Sequence, residues 1–134
     1  MIPILWDLEV GDTLPEIQLP PVTRIDLIKY AGASGDYNPI HTIDDEAKKA
    51  GLPGVIAHGM WTMGNLAKLF TPYLEKGFIQ DYQVRFMGMV FLEDRITLKA
   101  TVKATEESKV TFSVKAVNEA DQEILAGHIV YQVF

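Results

Sequence analysis

The segment Gly59-Met60-Trp61-Thr62-Met63-Gly64-Asn65-Leu66-Ala67-Lys68-Leu69-Phe70-Thr71 decides the fold. Its polar positions are Thr62, Asn65, Lys68 and Thr71, and almost every other position is apolar. A narrow polar stripe at this spacing is typical of a helix that is buried on most sides. Pro72 limits how far such a helix continues undisturbed. We therefore expect a central helix that other elements must cover.

The chain after this helix is typical of β-strands, and we expect them at Phe78–Phe91, Arg95–Thr105, Val110–Val117 and Glu123–Val133. The second and third of these alternate apolar with polar residues, which favours strands with one buried face. The inward positions are Ile96, Leu98, Ala100, Val102 and Ala104, then Val110, Phe112, Val114 and Ala116. We expect a bulge at Gly88 and a turn at Asn118–Asp121.

The chain before the central helix begins with a proline-rich stretch that ends at Pro21, where we expect extended segments and a short strand at Glu16–Leu19. Thr23 then opens a helix, because Asp26 stands three residues later as in a capping box. Its expected apolar face is Ile25, Ile28, Tyr30 and Ala31, and its end lies near Gly32 or Gly35. A short polar helix, Asp44 to Ala50, is stopped by Gly51 and Pro53.

This order of elements predicts an α+β fold in which an antiparallel meander wraps around the apolar helix. We expect one domain over residues 1–134, because two domains in a chain of 134 residues would each be too small to bury a good core. No internal repeat or linker interrupts the sequence.

Composition narrows the classes of function. The formal net charge is −6, which argues against binding to nucleic acid or an anionic membrane surface, although a few local cations can still hold an anionic ligand. There is no cysteine, so disulfides, thiolate nucleophiles and cysteine-ligated zinc are excluded. We see no signal peptide at Met1–Asp7 and no membrane-spanning run. We expect a cytoplasmic protein without metal or cofactor.

The segment Ser34-Gly35-Asp36-Tyr37-Asn38-Pro39-Ile40-His41 places a carboxylate and an imidazole in one loop. Gly35 permits a sharp exit from the preceding helix, and Pro39 fixes the backbone of the bend. Histidine titrates near neutral pH, so it suits proton transfer, and a nearby carboxylate can orient a water molecule. Each residue also has a structural interpretation, because Asp and Asn are common in turns.

The segment Val55-Ile56-Ala57-His58-Gly59-Met60 joins an apolar run to the start of the central helix. The first backbone N–H groups of a helix have no partner within it, and Gly59 has no side chain to keep a ligand away. The helix dipole adds positive potential there. A thioester carbonyl oxygen that gains negative charge would fit this position. Alternatively, Gly59 only relieves crowding where the helix enters the core.

Together these two segments resemble the signature of the MaoC-like dehydratases, which include the R-specific enoyl-CoA hydratases. Further similarity lies in Tyr30-Ala31-Gly32, Thr62-Met63-Gly64 and Val84-Arg85-Phe86, which look closest to the mycobacterial (3R)-hydroxyacyl-ACP dehydratases. The resemblance implies a single hotdog fold, a dimer with its active site near the subunit interface, and water held by Asp36 and His41. It also implies that the Gly59 N–H holds the thioester oxygen. One departure is Leu92-Glu93-Asp94, where relatives often have Gly-Asp.

The resemblance also implies a substrate, a trans-2-enoyl thioester of CoA or acyl carrier protein, converted to the (R)-3-hydroxyacyl thioester or formed from it. We expect the acyl pocket along the central helix, and Arg85 is the candidate for phosphate binding. The candidate substrate-binding residues are Asn38, Met60, Met63, Gly64, Ala67 and Arg85. Which member of the Asp36–His41 pair is acid and which is base stays open at this point.

Two other classes of function remain. A hotdog thioesterase would hydrolyse the thioester instead, but it would not need the Asp–Asn–Pro–His arrangement. An acyl-thioester-binding subunit of a heteromeric dehydratase is the second alternative; because this chain carries the motif, it should be the active partner. The expected assembly is a homodimer or higher homo-oligomer, with a heterodimer as the alternative.

Overall fold

A computed structural model describes residues 5–134, with the side chain of Trp6 left out. Any structure at Pro3, where we expected extended chain, therefore lies outside the described residues. Three α-helices are present: α1 at Arg24–Ser34, α2 at Asp44–Lys49 and α3 at Gly59–Leu66. Short 3₁₀ helices occupy Leu5–Asp7, Pro39–His41 and Ala67–Tyr73. The strands are β1 at Ile17–Gln18, β2 at Gly77–Phe86, β3 at Thr97–Thr105, β4 at Lys109–Val117 and β5 at Glu123–Val133.

The five strands form one antiparallel sheet in the order β1-β3-β4-β5-β2. Thus β3, β4 and β5 make the expected meander. However, β2 pairs with β5 and not with β3, the next strand along the chain. The expectation that all four long strands form one meander was therefore wrong. The reason is the connection after β2, which leaves the sheet. It pairs with the segment before α3, where the N–H of Ala57 donates to Val90 O at 2.8 Å.

The α3 helix and the 3₁₀ helix after it pack against one face of the sheet. The Phe70 ring meets Phe112 of β4 edge to face, with 5.0 Å between centroids, and lies 6.3 Å from the Tyr131 ring of β5. The hydroxyl of Tyr82 donates to the carbonyl of Met63 near the end of α3, which ties the helix to β2. The expected arrangement of a sheet around a central helix is confirmed.

The exposed side of α3 differs from the expectation of burial on most sides. Thr62, which we had placed in the polar stripe, is 1% exposed, whereas Met60 is 55% exposed. Thr62 and Leu66 stand one turn apart and are both buried. Met60 and Gly64 lie along the opposite side, where no element of residues 5–134 covers them. Burial on most sides is therefore wrong for the start of the helix in the single chain.

The N-terminal helix α1 begins as expected, with Thr23 and Asp26 forming a complete capping box. Its apolar face was wrong in part. Leu27 and Ala31 are the buried residues, whereas Ile25 and Ile28 are about half exposed. Leu27 and Ala31 are one turn apart and therefore share a face, and the neighbouring isoleucines lie outside it.

Two details of the strands also differ from the sequence pattern. The β2 strand ends at Phe86 and does not reach Phe91. Just beyond it, the N–H groups of Met87 and Gly88 both donate to the carbonyl of Ile124, at 2.8 and 3.0 Å, which is the two-against-one arrangement of a bulge. In β3 the register shifts between Val102 and Ala104, so Ala104 is exposed and not inward as expected. Within residues 5–134, no helix has the length and apolar character needed to cross a membrane.

Candidate active site

The loop that follows α1 starts at Gly35. Its φ of 76° lies in the left-handed region, which glycine adopts without a Cβ penalty. The Gly35 N–H donates to Ala31 O at 2.9 Å and so closes the helix. The chain then turns sharply out of α1, and Asp36 becomes the first residue of the loop.

The loop Asp36–His41 is held in shape by its own side chains. Asp36 Oδ1 accepts a hydrogen bond from the N–H of Asn38 at 3.1 Å, and Asn38 Oδ1 accepts one from Ile40 N–H at 3.2 Å. Pro39 then starts the 3₁₀ turn that ends at His41. Asp36 and Asn38 therefore do stabilise a turn, as the structural interpretation predicted. One carboxylate oxygen of Asp36, Oδ2, is left for another role.

The loop brings Asp36 and His41 to the same place. Asp36 Oδ2 lies 3.9 Å from His41 Nε2, which is too long for a direct hydrogen bond. The other ring nitrogen, Nδ1, lies 2.7 Å from Ile56 O. Because a carbonyl oxygen only accepts, Nδ1 carries the proton, and in the neutral ring Nε2 is then the acceptor. Half of the Asp36 side chain is open to solvent, whereas His41 is buried.

A second histidine, His58, lies directly behind this pair. Its ring stacks on that of His41, with centroids 3.8 Å apart and planes 24° apart. Its Nε2 lies 3.1 Å from the peptide oxygen of Asp36, to which it donates, and the Tyr30 ring meets it edge-on at 4.8 Å. Burial lowers the pKa of His58 below its ordinary value, and the bond to Asp36 O opposes this only in part. The ring is therefore neutral near pH 7.

Gly59 begins α3 immediately after His58. Its N–H donates to no backbone or side-chain acceptor within residues 5–134, as is usual at a helix start, and the residue is exposed. A Cβ at this position would lie 3.0 Å from two carbons of the Phe86 ring at the end of β2. Only a glycine therefore fits here without moving Phe86. A free N–H at the positive end of a helix can hold a developing negative charge.

An ion pair between Arg24 and Asp44 stabilises the chain just after His41. The Arg24 guanidinium donates to Asp44 Oδ2 at 2.6 Å and to Thr42 O at 3.0 Å. Asp44 Oδ1 in turn accepts from Val55 N–H at 3.2 Å. The hydrogen bonds from Val55 and Arg24 hold the pKa of Asp44 below its ordinary value. Through Asp44, the start of α1 is linked to the segment that leads into His58 and Gly59.

The other predicted substrate-binding residues fall in two places. Met60, Met63, Gly64 and Ala67 follow one side of α3 and the turn after it, with Met60 and Gly64 exposed and the other two half-buried. Arg85 lies elsewhere: it is exposed and paired with Ala126 across the sheet. Tyr82 and Phe86 point towards α3, and side chains alternate along a strand, so Arg85 projects from the opposite face of the sheet.

Three ligand-type side chains meet in this site, since one atom each from Asp36, His41 and His58 lies within 4.8 Å of the others. Two of the four ring nitrogens already bind peptide oxygens, namely Nδ1 of His41 and Nε2 of His58. That leaves Asp36 Oδ2 and His41 Nε2, which face each other at 3.9 Å, and the buried Nδ1 of His58, which has no partner among the described residues. The Asp36–His41 pair can hold a water molecule between these two atoms, an arrangement that fits proton transfer.

The antiparallel sheet around α3, with a loop of acid and imidazole at the start of that helix, defines a hotdog-fold protein. Residues 9–124 match the family described as MaoC like domain, and the chain belongs to the MaoC-like dehydratase family. The family resemblance and the fold predicted from the sequence are confirmed.

Two curated relatives illustrate the match. Fatty acid synthase subunit beta of Aspergillus oryzae is 35% identical over 116 residues, which are 83% of this chain and 6% of that protein. The mitochondrial 3-hydroxyacyl-(acyl-carrier-protein) dehydratase of Arabidopsis thaliana is 28% identical over 108 residues, 81% of this chain and 64% of that one. The chain thus spans only a small part of the synthase and slightly under two thirds of the dehydratase.

Among solved structures, the unliganded R-hydratase PhaJ1 from Pseudomonas aeruginosa superposes with a TM-score of 0.87 at 23% identity. The match covers 96% of this chain and 83% of that one. At this level of identity the likeness supports the fold alone. It places the sheet, α3 and the loops between them in a common architecture.

Proposed function

We propose that this chain adds water to trans-2-enoyl thioesters to give (R)-3-hydroxyacyl thioesters, or catalyses the reverse dehydration. The observation that carries the proposal is the convergence of Asp36 Oδ2 and His41 Nε2, 3.9 Å apart, with the His41 ring stacked on His58, the residue before the exposed Gly59. Relatives named as a dehydratase and as an enoyl-CoA hydratase support the choice of reaction. The R configuration rests on the resemblance to R-specific hydratases.

His41 is the base in the hydration direction. Its Nδ1–H is bound to Ile56 O, so the lone pair of the neutral ring is on Nε2, next to Asp36. A water molecule about 2.8 Å from both side chains fits between groups separated by 3.9 Å. As the water oxygen bonds to C3 of the enoyl group, its proton moves to Nε2, and Asp36 accepts a hydrogen bond from the second O–H.

Gly59 stabilises the charge that this attack creates. Conjugation with the carbonyl makes C3 electrophilic, and the electron pair displaced from the double bond forms an enolate with its charge on the thioester oxygen. The Gly59 N–H donates to that oxygen at the positive end of α3. The proton on His41 then returns to C2, which completes the addition of one water and restores the neutral ring.

The acyl chain lies along the uncovered side of α3. Met60, Gly64 and the half-buried Met63 and Ala67 border this side, and the flexible methionine side chains suit acyl groups of different length. Asn38 binds substrate through its exposed amide nitrogen, since its Oδ1 is occupied in the turn. Arg85 directly precedes Phe86, whose ring lies against Gly59, so Arg85 is the candidate for holding a phosphate of the carrier at this end of β2.

A second copy of this chain covers the open side of the site. β2 has one free edge in the sheet order, and an unpaired edge strand is a ready site for pairing. Phe86 at the end of this strand, Met87 and Met89 beyond it, and Met60 of α3 are about half exposed. A homodimer through β2 would cover such residues. Light scattering of the purified chain tests this assignment, and a monomer that gains activity only with a second protein would instead reveal a heterodimer.

The reaction is tested with crotonyl-CoA by two assays on the same sample. Hydration removes the enoyl absorbance and releases no thiol, whereas a thioesterase releases free CoA that reacts with a thiol reagent. We expect loss of enoyl absorbance alone. Thiol release at the rate of substrate loss would replace this proposal with thioester hydrolysis. The same assay on a series of chain lengths, as CoA and as acyl-carrier-protein thioesters, identifies the carrier.

A further inference from the structure

His58 is a buried polar residue, and one of its ring nitrogens has no hydrogen-bond partner in residues 5–134. It is 2% exposed, and within the described residues its Nδ1 is the only buried side-chain nitrogen or oxygen without a hydrogen-bond partner. An unpaired buried nitrogen costs stability, and a phenylalanine ring would fill a similar volume without that cost. A role in packing alone therefore does not explain a histidine here.

The contacts of His58 come from three separate parts of the site. Nε2–H holds the peptide oxygen of Asp36, a residue 22 positions earlier in the chain. The ring face supports that of His41 at 3.8 Å. On its C-terminal side, His58 is bonded directly to Gly59 and is the N-cap residue of α3. His58 thus contacts the backbone of Asp36 and the imidazole of His41, and it is bonded to Gly59, which carries the first N–H of the helix.

We propose that His58 is a positioning residue, which as an uncharged ring fixes Asp36 and His41 relative to the N–H of Gly59. This inference rests on the proposed hydratase function. It assigns no contact with the reacting atoms to His58, since Nε2 is occupied by Asp36 O and Nδ1 is enclosed. Its effect passes through the two residues that hold the water.

The absence of charge on His58 matters for the reaction. The titratable groups that face its ring are His41 on one side, Tyr30 on its edge and Asp36 at Nε2. When His41 takes the proton of the water, it becomes positive 3.8 Å from His58. A charged neighbour would oppose that step, while a neutral ring does not. Burial, which lowers the pKa of His58, keeps the ring neutral.

Two substitutions separate the two contacts. His58→Gln keeps an N–H donor near the position of Nε2 but removes the stacked ring, and His58→Phe keeps the ring but removes the donor to Asp36 O. Leu66→Ala is the matched control, because Leu66 is fully buried in α3, the helix that His58 caps, and has no part in the proposed mechanism. All three variants are compared at measured folded fraction, so that lost stability is not read as lost catalysis.

We expect His58→Phe to lower kcat by about 10- to 100-fold, the scale of a small misplacement of catalytic groups, with KM nearly unchanged. His58→Gln should lose less, and Leu66→Ala should retain the kcat of the folded enzyme. The inference is overturned if both His58 variants keep near-normal kcat, or if Leu66→Ala loses as much as they do. If one His58 variant does not fold, the other decides.

An activity-independent measurement distinguishes failure of this inference from failure of the proposed function. Imidazole ¹⁵N NMR reports which nitrogen of each histidine carries its proton. In the unaltered protein we expect Nδ1–H on His41 and Nε2–H on His58, and in His58→Phe we expect the His41 signals to show a mixture of tautomers. Unchanged His41 signals would contradict positioning by His58. Absence of enoyl hydration in the unaltered protein, with these shifts present, would contradict only the proposed function.

Discussion

The Asp36 carboxylate and the His41 imidazole face each other at 3.9 Å but do not hydrogen-bond directly. Each is tied to the backbone by its other polar atom: Asp36 Oδ1 by the N–H of Asn38, and His41 Nδ1 by Ile56 O. The two facing atoms, Oδ2 and Nε2, are therefore fixed in direction and free to share one small molecule. In the proposed mechanism, this separation lets the pair hold one water molecule between its two atoms.

Loss of either member should abolish turnover while the fold is retained. Asp36→Asn and His41→Gln should each lower kcat on a short enoyl-CoA by at least about 100-fold, within the range of a lost general acid or base. Since both act on one water in the proposed mechanism, the double variant should lose little more than either single one. Steady-state rates and circular dichroism check this. Near-normal rates in both single variants would show that the pair is not catalytic.

Gly59 should not tolerate a methyl group. In Gly59→Ala the new Cβ would lie 3.0 Å from the Phe86 ring, so the ring or the helix start must move, and we expect kcat/KM to fall about 10-fold or more. The double variant Gly59→Ala/Phe86→Ala removes the clash and should recover part of the loss. Phe78→Ala, at the other end of β2, is the control and should recover none. Equal rates for Gly59→Ala and the unaltered chain would contradict a close fit at this position.

Arg85 provides a test of the carrier site. Arg85→Ala should raise the KM for enoyl-CoA several-fold, since Arg85 is exposed and one ion pair at the surface is worth up to about 1 kcal/mol. The KM for the N-acetylcysteamine thioester, which has no phosphate, should not change. Lys103→Ala, which removes a positive charge from β3, is the control. A KM that stays the same for both substrates would move the phosphate site away from Arg85.

Protonation of His58 should make the free energy of unfolding decrease as the pH falls. Burial lowers its pKa in the folded protein, whereas in the unfolded chain it titrates near 6.5. Above about pH 6.5 neither state is charged and stability is unaffected. As the pH falls below that value, the unfolded chain binds a proton first, so the free energy of unfolding drops by up to about 1.4 kcal/mol per pH unit. The drop ends once the pH passes the folded pKa.

Urea unfolding between about pH 7.5 and 5 measures this slope in the unaltered chain and in His58→Phe. The slope should be smaller in the variant. Asp44 and Asp81 do not interfere, because their pKa values are lowered from 3.8 and they titrate below this window. The same slope in both proteins would show that His58 is charged in the folded state or titrates normally.

Glu93 occupies a turn position that favours glycine. Its φ of 71° lies in the left-handed region, which glycine adopts without a Cβ penalty. The turn is kept by Asp94 Oδ2, which accepts from the N–H of Phe91 at 2.8 Å. The left-handed conformation costs about 1–2 kcal/mol for a residue with a side chain, and the greater freedom of unfolded glycine offsets about 0.5–1 kcal/mol of that.

Glu93→Gly should therefore raise the free energy of unfolding by about 0.5–1 kcal/mol without changing kcat. Asp121, with φ of 60°, offers a matched control, because aspartate tolerates this conformation better than glutamate. Asp121→Gly should gain less. Denaturant unfolding of the two variants gives the comparison, and a loss of stability in Glu93→Gly would mean that the Glu93 side chain stabilises the turn.

The sequence predicted those structural features that depend on interactions between residues close together in the chain. The capping box of Thr23 and Asp26, the left-handed Gly35 and the alternation in β3 and β4 depend on neighbours in sequence, and all three were readable. The loop from Asp36 to His41 was readable for the same reason. Its proline and its turn residues fix the bend, so the convergence of both candidate catalytic side chains was predicted from one segment.

Features that depend on the rest of the fold were not readable. Ile25 and Ile28 have the composition of a buried face but lie beside the face that packs. Thr62 was placed with the polar residues, yet it is buried one turn before Leu66. The pairing of β2 with β5 depends on a connection that leaves the sheet, and no pattern in β2 itself indicates that path.

His58 was missed as an individual residue, although the segment that contains it was singled out. Its partners are Asp36, His41 and Tyr30, all far from it in sequence, so only the tertiary structure brings them together. The one signal present was a histidine between an apolar run and a helix-starting glycine. That position makes burial of the ring predictable, but not its contacts.

The hydrogen bond from His41 Nδ1 to Ile56 O leaves a single nitrogen of that ring able to exchange protons with bound molecules. In the proposed mechanism, hydration and dehydration must then both pass the proton through Nε2 of His41. A solvent isotope label should therefore enter and leave C2 of the substrate from one face only, in hydration and in dehydration alike.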